Sequence, residues 1–152
     1  MRIEEANNTD AQKLTQLTIQ SKSYWGYPAR QIEEWKDELT ITASYIATNE
    51  VYKIGDENNI MGFYAYEFIN SQEVKLNFLF IDPAYIGKGL GKILMNDFLD
   101  RIAKDGYKSV TLDADPNAEN FYAKQGFRVI GQLQSSIKDR FLPIMYKEIG
   151  IK

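Results

Sequence analysis

Three glycines alternate with other residues at Gly87, Gly89 and Gly91, between a predicted strand and a predicted helix. Glycine lets a backbone approach a ligand closely and adopt conformations that are closed to other residues. The N–H groups at the start of the following helix converge on an anion, and the helix dipole favours its negative charge. Lys88 and Lys92 add positive charge beside the glycines. The loop therefore predicts a cradle for a diphosphate, with a plain turn between two elements as the alternative.

Other glycine-rich phosphate motifs do not match this loop. The P-loop requires Ser or Thr after its Gly-Lys pair, whereas Ile93 follows Lys92. The dinucleotide pattern G-x-G-x-x-G fails because Lys92 stands where its third glycine belongs. A kinase loop is accompanied by several further motifs, for which 152 residues are too few.

Cysteine and histidine are both absent from the sequence. No thiolate nucleophile is therefore available, and the commonest general base and metal ligand is missing. Proton transfer falls to carboxylates, Tyr, Lys or water, and we expect no metal site. The net charge of −3 provides no basic field, so we expect no nucleic-acid partner.

The length of 152 residues predicts one domain that spans residues 1–152. No apolar run approaches the ~20 residues that cross a bilayer, and the N-terminal residues lack the apolar stretch of a signal peptide. We therefore expect a cytoplasmic protein with no membrane partner.

Hydrophobic periodicity predicts helices and strands along the whole chain. Helices are expected over Asp10–Lys22 (capped by Thr9 or Asp10), Arg30–Leu39, Lys92–Lys104 and Asn117–Gln125. Strands are expected over Met1–Ala6, Ala43–Ile54, Ile60–Ile69, Glu73–Ile81, Ser109–Ala114, Phe127–Leu133 and Pro143–Ile149. The three middle strands suggest an antiparallel meander, and the later strand-helix-strand crossover favours parallel pairing. The expected fold is α/β (α+β), with a mixed sheet of about six to seven strands and helices on both faces.

Two segments of the second half resemble the GNAT family of acetyl-CoA-dependent N-acetyltransferases. The run Ile86-Gly87-Lys88-Gly89-Leu90-Gly91 is similar to the family signature Gln/Arg-x-x-Gly-x-Gly/Ala, except that Ile86 stands where Arg or Gln is usual. The run from Asn117 to Phe127 resembles the family segment Asn-x-x-x-Phe-Tyr-x-x-x-Gly-Phe. The resemblance implies the GNAT fold and acetyl-CoA as co-substrate.

The resemblance also implies which residues contact acetyl-CoA. The backbone of the glycine loop is expected to bind the diphosphate. This loop is defined as Ile86, Gly87, Lys88, Gly89, Leu90, Gly91 and Lys92. The strand end at Phe80 and Ile81 is expected to pair with the pantetheine amides, like an added strand. Asn117 corresponds to the family side chain that contacts the pantetheine arm, and helix capping is its alternative role.

Tyr122 occupies the position at which the family places the proton donor for the departing thiolate. A Tyr, with a pKa near 10, is protonated at neutral pH and close to a thiol near 8.5. A core Tyr is the alternative interpretation. Because no Cys can carry an acetyl group, the simplest reaction is direct attack by an amine in a ternary complex.

The acceptor side is less defined by the sequence. Candidate bases are Glu67, Asn77 through water, and Asp113, with a water chain as the alternative. Tyr24, Trp25 and Tyr27 form an aromatic cluster that is a candidate wall of the acceptor site, and Arg140 is a candidate partner for an acceptor carboxylate. We expect a primary amine of a small molecule as acceptor. The alternatives are a protein or peptide N-acetyltransferase and a non-catalytic acyl-CoA-binding sensor, and a homodimer is possible.

Overall fold

The computed structural model describes residues 2–135 and 140–149. Its strands are hydrogen-bonded in the order β1-β2-β3-β4-β5-β7-β6. Their bounds are Arg2–Glu5 (β1), Glu50–Gly55 (β2), Ile60–Phe68 (β3), Glu73–Ile81 (β4), Ser109–Asp113 (β5), Arg128–Gln134 (β6) and Phe141–Glu148 (β7). Seven strands agree with the upper end of the predicted range.

The helices lie before, between and after these strands. Their bounds are Ala11–Tyr24 (α1), Ala29–Glu34 (α2), Lys36–Leu39 (α3), Ala43–Thr48 (α4), Leu90–Lys104 (α5) and Glu119–Lys124 (α6). Short 3-10 turns precede three of them, at Asn8–Asp10, Pro83–Tyr85 and Pro116–Ala118.

Pairing directions make the sheet mixed. Strands β1 and β2, and β2 and β3, are antiparallel, while β3 and β4 are neighbours joined by a short turn. Strand β5 is parallel to β4, as the crossover through α5 predicts, and both β5 and β6 are antiparallel to β7. The α+β fold class and the mixed sheet are confirmed.

The chain divides into two compact units, and the first contains Met1–Tyr66 and Phe78–Asn96. Leu14 of α1, Ile46 of α4 and Phe63 of β3 share a buried cluster on one face of this unit's strands. The neighbouring Gly62 points to the other face, because side chains alternate along a strand. There it faces Leu94 of α5. Helices therefore cover both faces, as the sequence predicts.

The second unit contains Glu67–Asn77 and Asp97–Lys152. Its core is built from the buried Val110 and Leu112 of β5, Met145 of β7 and Phe98 of α5. The end of β5 is joined to β7 by a hydrogen bond from the N–H of Ala114 to the carbonyl of Pro143 (2.9 Å).

One predicted element is wrong: the Ala43–Ile54 strand begins with a helix. Residues 43–48 form α4, and only Glu50–Gly55 is extended. The Thr42 hydroxyl accepts a hydrogen bond from the N–H of Tyr45 and so caps α4. The helix then buries Ile46, which an extended chain through the same residues would place differently.

Several predicted boundaries also need correction. The Arg30–Leu39 helix is two helices, α2 and α3, separated at Trp35 (φ −88°, ψ 2°). The side chain of Asp10 does not cap α1; it accepts the N–H of Asn7 and completes a capping box around the preceding turn. Helix α5 begins at Leu90 rather than at Lys92.

Candidate functional site

The glycine loop turns through two residues that require glycine. Gly87 and Gly89 have φ of +88° and +78°, which side-chain-bearing residues rarely adopt. A Cβ built on either glycine meets no atom within 4 Å. The positive φ angles, rather than contacts with a neighbouring residue, therefore require glycine at these two positions. The space beside each Cα is open.

Helix α5 starts directly after these glycines, so the N–H groups of its first turn lie beside them. Its first backbone bond runs from the N–H of Ile93 to the carbonyl of Gly89 (3.2 Å). The N–H groups of Leu90, Gly91 and Lys92 precede that bond in the helical ladder. At 15 residues the helix is long enough for a full dipole, so its N-terminus favours an anion.

The approach to the loop is fixed by local bonds. Asp82 accepts the N–H of Ala84 (2.9 Å) and begins the Pro83–Tyr85 turn. Ile86 then leaves the turn in an extended conformation, and its side chain is 40% exposed. The residue that departs from the family signature is therefore at the surface rather than in the core.

The predicted strand residues Phe80 and Ile81 lie at the end of β4 beside the loop, in the first unit. Phe80 packs near Phe63 and Phe78, with ring centroids 6.3 and 6.2 Å away. A Cβ on Gly62 would approach Cδ1 of Ile81 to 2.8 Å and the carbonyl of Phe80 to 2.9 Å. Gly62 therefore permits this close packing. Sequence reasoning missed it, although an isolated glycine within a strand pattern indicates close backbone approach.

Strand β4 is paired with β5 over only part of its length. Among the described residues the register joins Glu73, Val74 and Lys75 to β5. The second half of β4 lies outside that register. The main-chain N–H and carbonyl groups of an unpaired strand edge can form hydrogen bonds with an extended ligand arm.

Tyr122 lies on α6 in the second unit and is buried (8% exposed). Its ring contacts Phe127 edge-on, with centroids 5.8 Å apart. Burial raises the pKa of the Tyr122 phenol above its ordinary value, and the negative charge of Asp115 raises that pKa further. The phenol is therefore protonated throughout the neutral range.

Asn117 lies within the 3-10 turn before α6, so its predicted capping role is wrong. Asp115 occupies the cap, and its Oδ1 accepts the N–H of Asn117 (2.8 Å). Sequence reasoning missed Asp115, although an Asp immediately before a Pro is a typical start of a helical turn. The exposed Asn117 keeps its side chain at the surface.

The acidic and amide candidates for a base lie in the second unit as well. Asp113 at the end of β5 forms an ion pair with Lys75 of β4 (3.0 Å). Glu67 is the penultimate residue of β3, and Asn77 lies in the middle of β4. Both are half-buried. Arg140 Nη2 lies 3.4 Å from Asp115 Oδ2, so its guanidinium already faces a carboxylate.

The aromatic cluster near the end of α1 separates into two pairs. Tyr24 and Trp25 are about half exposed and contact each other edge-on at 5.4 Å. Tyr27 packs on the buried Trp35 at 4.9 Å. The Nζ of Lys22 lies over both rings of that second pair, 5.7 and 5.5 Å from their centroids. The chain's own cation therefore occupies the Tyr27–Trp35 face, and only the first pair is open.

No group of three or more acidic side chains within residues 2–135 and 140–149 is arranged to hold a metal ion. Among the same residues, no helix has the length and apolarity needed to cross a membrane.

Comparisons with known proteins agree on one family. The model of the acetyltransferase (GNAT) domain matches residues 19–147. An uncharacterized N-acetyltransferase, ycf52, of Gracilaria tenuistipitata var. liui is 28% identical over 92 residues, which is 60% of this chain. The match covers 50% of that relative, so this chain spans about half the length of the curated relative it matches.

Solved structures show the same fold. The PaiA N-acetyltransferase of Thermoplasma acidophilum, in complex with coenzyme A, superposes with a TM-score of 0.80 at 20% identity, over 97% of this chain and 98% of that one. An aminoglycoside 6'-N-acetyltransferase complexed with coenzyme A superposes with a TM-score of 0.73 at 17% identity, over 100% and 99%. With the family model matching well over half of its residues, the chain belongs to the GNAT acetyltransferase family.

Proposed function

We propose that this protein transfers the acetyl group of acetyl-CoA to the primary amine of a small molecule, within one domain that spans residues 1–152. The observation that carries the proposal is the glycine loop. Two glycines with positive φ face open space, immediately before the N-terminus of a 15-residue helix. This arrangement suits a diphosphate, and the family membership suggests that the diphosphate is that of coenzyme A.

The chain's own residues fit acetyl-CoA in three places. The N–H groups from Gly87 to Lys92 would hold the diphosphate, and the charges of Lys88 and Lys92 would assist them. The half of β4 outside the β5 register would hydrogen-bond the pantetheine amides. Asn117 is assigned a contact to the same arm, which its surface position permits.

The reaction forms one N–C bond and breaks one C–S bond. The amine loses a proton, and the departing sulfur gains one. Tyr122 is assigned as the donor to that sulfur. Because burial raises its pKa, complete transfer to a thiolate near pKa 8.5 is uphill. Its main contribution is therefore a hydrogen bond that strengthens as negative charge develops on sulfur, and the departing thiolate then takes its proton from water.

The amine's proton is assigned to a water chain in preference to a side chain. The carboxylate of Asp113 is already paired with Lys75 at 3.0 Å. Glu67 and Asn77 through water stay as alternatives. If the rate falls as the pH is lowered through the pKa range of carboxylates, the pH–rate profile would support Glu67 or Asp113 as the base. A profile without this acidic fall would support water.

Two observations favour a small cationic acceptor. The net charge of −3 attracts an ammonium group weakly, and Tyr24 and Trp25 offer exposed rings near the end of α1. The similarity to an aminoglycoside acetyltransferase indicates that the fold is compatible with a small amine substrate.

A cytoplasmic location and a homodimer stay predictions; the exposed Val129, Ile130 and Leu133 on the terminal strand β6 support the dimer.

A panel of amines assayed for thiol release from acetyl-CoA tests the proposal. We expect release with at least one small primary amine and little with peptides. Release with peptides alone would replace the small-molecule acceptor by a protein one. Thermal stabilisation by acetyl-CoA, about 2.7 kcal/mol at a hundred times its Kd, without release on any amine would favour the acyl-CoA sensor.

A further inference from the structure

A half-buried carboxylate lies at the junction between β5 and the turn that leads to α6. Oδ1 of Asp115 accepts the N–H of Asn117 at 2.8 Å, and Oδ2 faces Nη2 of Arg140 at 3.4 Å. The two side chains are only 14% and 16% exposed. Both oxygens of the Asp115 carboxylate therefore have partners. Oδ1 caps the turn before α6, and Oδ2 connects that turn to Arg140, the residue before β7.

The pair connects parts of the second unit that carry predicted site residues. Asp115 begins the turn that contains Asn117, and α6 with Tyr122 follows that turn directly. Arg140 immediately precedes β7, whose Pro143 is bonded to Ala114. Movement of this junction would therefore displace both Asn117 and Tyr122.

Stability alone is a weak reason for such a pair. Removing two charges from water costs about as much as their attraction returns, and a neutral pair of similar shape often serves equally well. An ion pair with fixed partners can instead hold particular side chains in place.

We propose that Asp115 and Arg140 are positioning residues that hold Asn117 and Tyr122 in place for acetyl transfer. This inference rests on the function proposed above and gives Arg140 a role other than binding an acceptor carboxylate.

The chain provides a matched control in its first unit. Lys53 and Asp10 form an ion pair at 2.8 Å with side chains 17% and 11% exposed, close to the exposure of Arg140 and Asp115. Asp10 also accepts a backbone N–H beside a 3-10 turn, that of Asn7. Lys53→Met therefore removes a similar pair from a place with no assigned role in catalysis.

Asp115→Asn is the decisive variant, because Asn is also a good capping residue and keeps an oxygen for the N–H of Asn117. In steady-state assays we expect kcat to fall about tenfold, with the KM for acetyl-CoA changed less than about threefold. In a Tyr122→Phe background the same substitution should lower kcat by clearly less than in the wild type, because the part of its effect that acts through Tyr122 is already lost. Equal losses in the two backgrounds would overturn the proposal.

Conservative replacement and backbone exchange complete the test. Arg140→Lys should retain more kcat than Arg140→Met, while Lys53→Met should leave kcat within about twofold. Amide exchange of α6 should accelerate in Arg140→Met and not in Lys53→Met, a result that needs no activity. If the wild type lacks transferase activity, the proposed function fails on that result. Unchanged α6 exchange in Arg140→Met would separately overturn the positioning role.

Discussion

Replacing Gly89 by Ala separates the ligand role of the glycine loop from its backbone strain. At φ +78° an added Cβ costs about 1–2 kcal/mol of stability. That cost corresponds to a fall in Tm of roughly 2–8 °C for a protein of this size. The Cβ also projects into the open space that the proposal gives to a phosphate. Loss of one hydrogen bond to a charged oxygen costs about 1.5–3 kcal/mol, or roughly 10- to 100-fold in acetyl-CoA affinity.

Gly106→Ala is the matched control for this substitution. Gly106 has φ of +88° and, like Gly89, no atom within 4 Å of an added Cβ. It follows the C-terminus of α5, at the opposite end of the helix from the loop. Both variants should lose similar stability in thermal unfolding, and only Gly89→Ala should lose affinity in calorimetric titration with acetyl-CoA. Affinity losses of the same size in both variants would refute the reasoning about the loop.

Three further predictions concern the core and the phenol. Tyr122→Phe should lower kcat at least tenfold with acetyl-CoA affinity nearly intact; unchanged turnover would remove Tyr122 from the mechanism. Because the folded-state pKa of Tyr122 is raised, its contribution to stability is complete below about pH 10 and declines above it. The Tm should therefore fall less steeply from pH 9 to 11 in Tyr122→Phe than in the wild type, and parallel curves would contradict the assignment. Gly62→Ala should cost about 1–3 kcal/mol by overpacking against the Phe80 carbonyl, whereas Gly131→Ala, whose Cβ meets only Ile144 Cδ1 at 3.6 Å, should be nearly neutral in denaturant titration.

Patterns that repeat over many residues predicted the second half of the fold well. The α5 helix shows a long apolar face, and Glu73–Ile81 was predicted with the bounds of β4. The segment from Ala43 to Ile54 failed because short apolar runs have no distinct period. There the Thr42 cap and the burial of Ile46 against α1 and β3 determine the structure, and both depend on tertiary contacts.

The candidate site shows the same division. The glycine loop was found from residue types alone, since positive φ and close approach both select glycine. The Asp115–Arg140 pair joins residues 25 positions apart, so no local pattern indicated it. The Lys75–Asp113 pair likewise depends on the parallel register of β4 and β5. Such contacts become visible only when strand order is known.

The most direct test compares two ligands in calorimetric titrations of the wild-type protein. Acetyl-CoA contains the diphosphate and the 3′-phosphoadenosine attached to it, whereas S-acetylpantetheine carries the same thioester and amide arm without either. The glycine-loop account predicts that acetyl-CoA binds at least about 100-fold more tightly, because several backbone N–H groups and the α5 dipole act on the diphosphate. Equal affinities, or no heat with either ligand, would contradict the claim that this loop holds the diphosphate of acetyl-CoA.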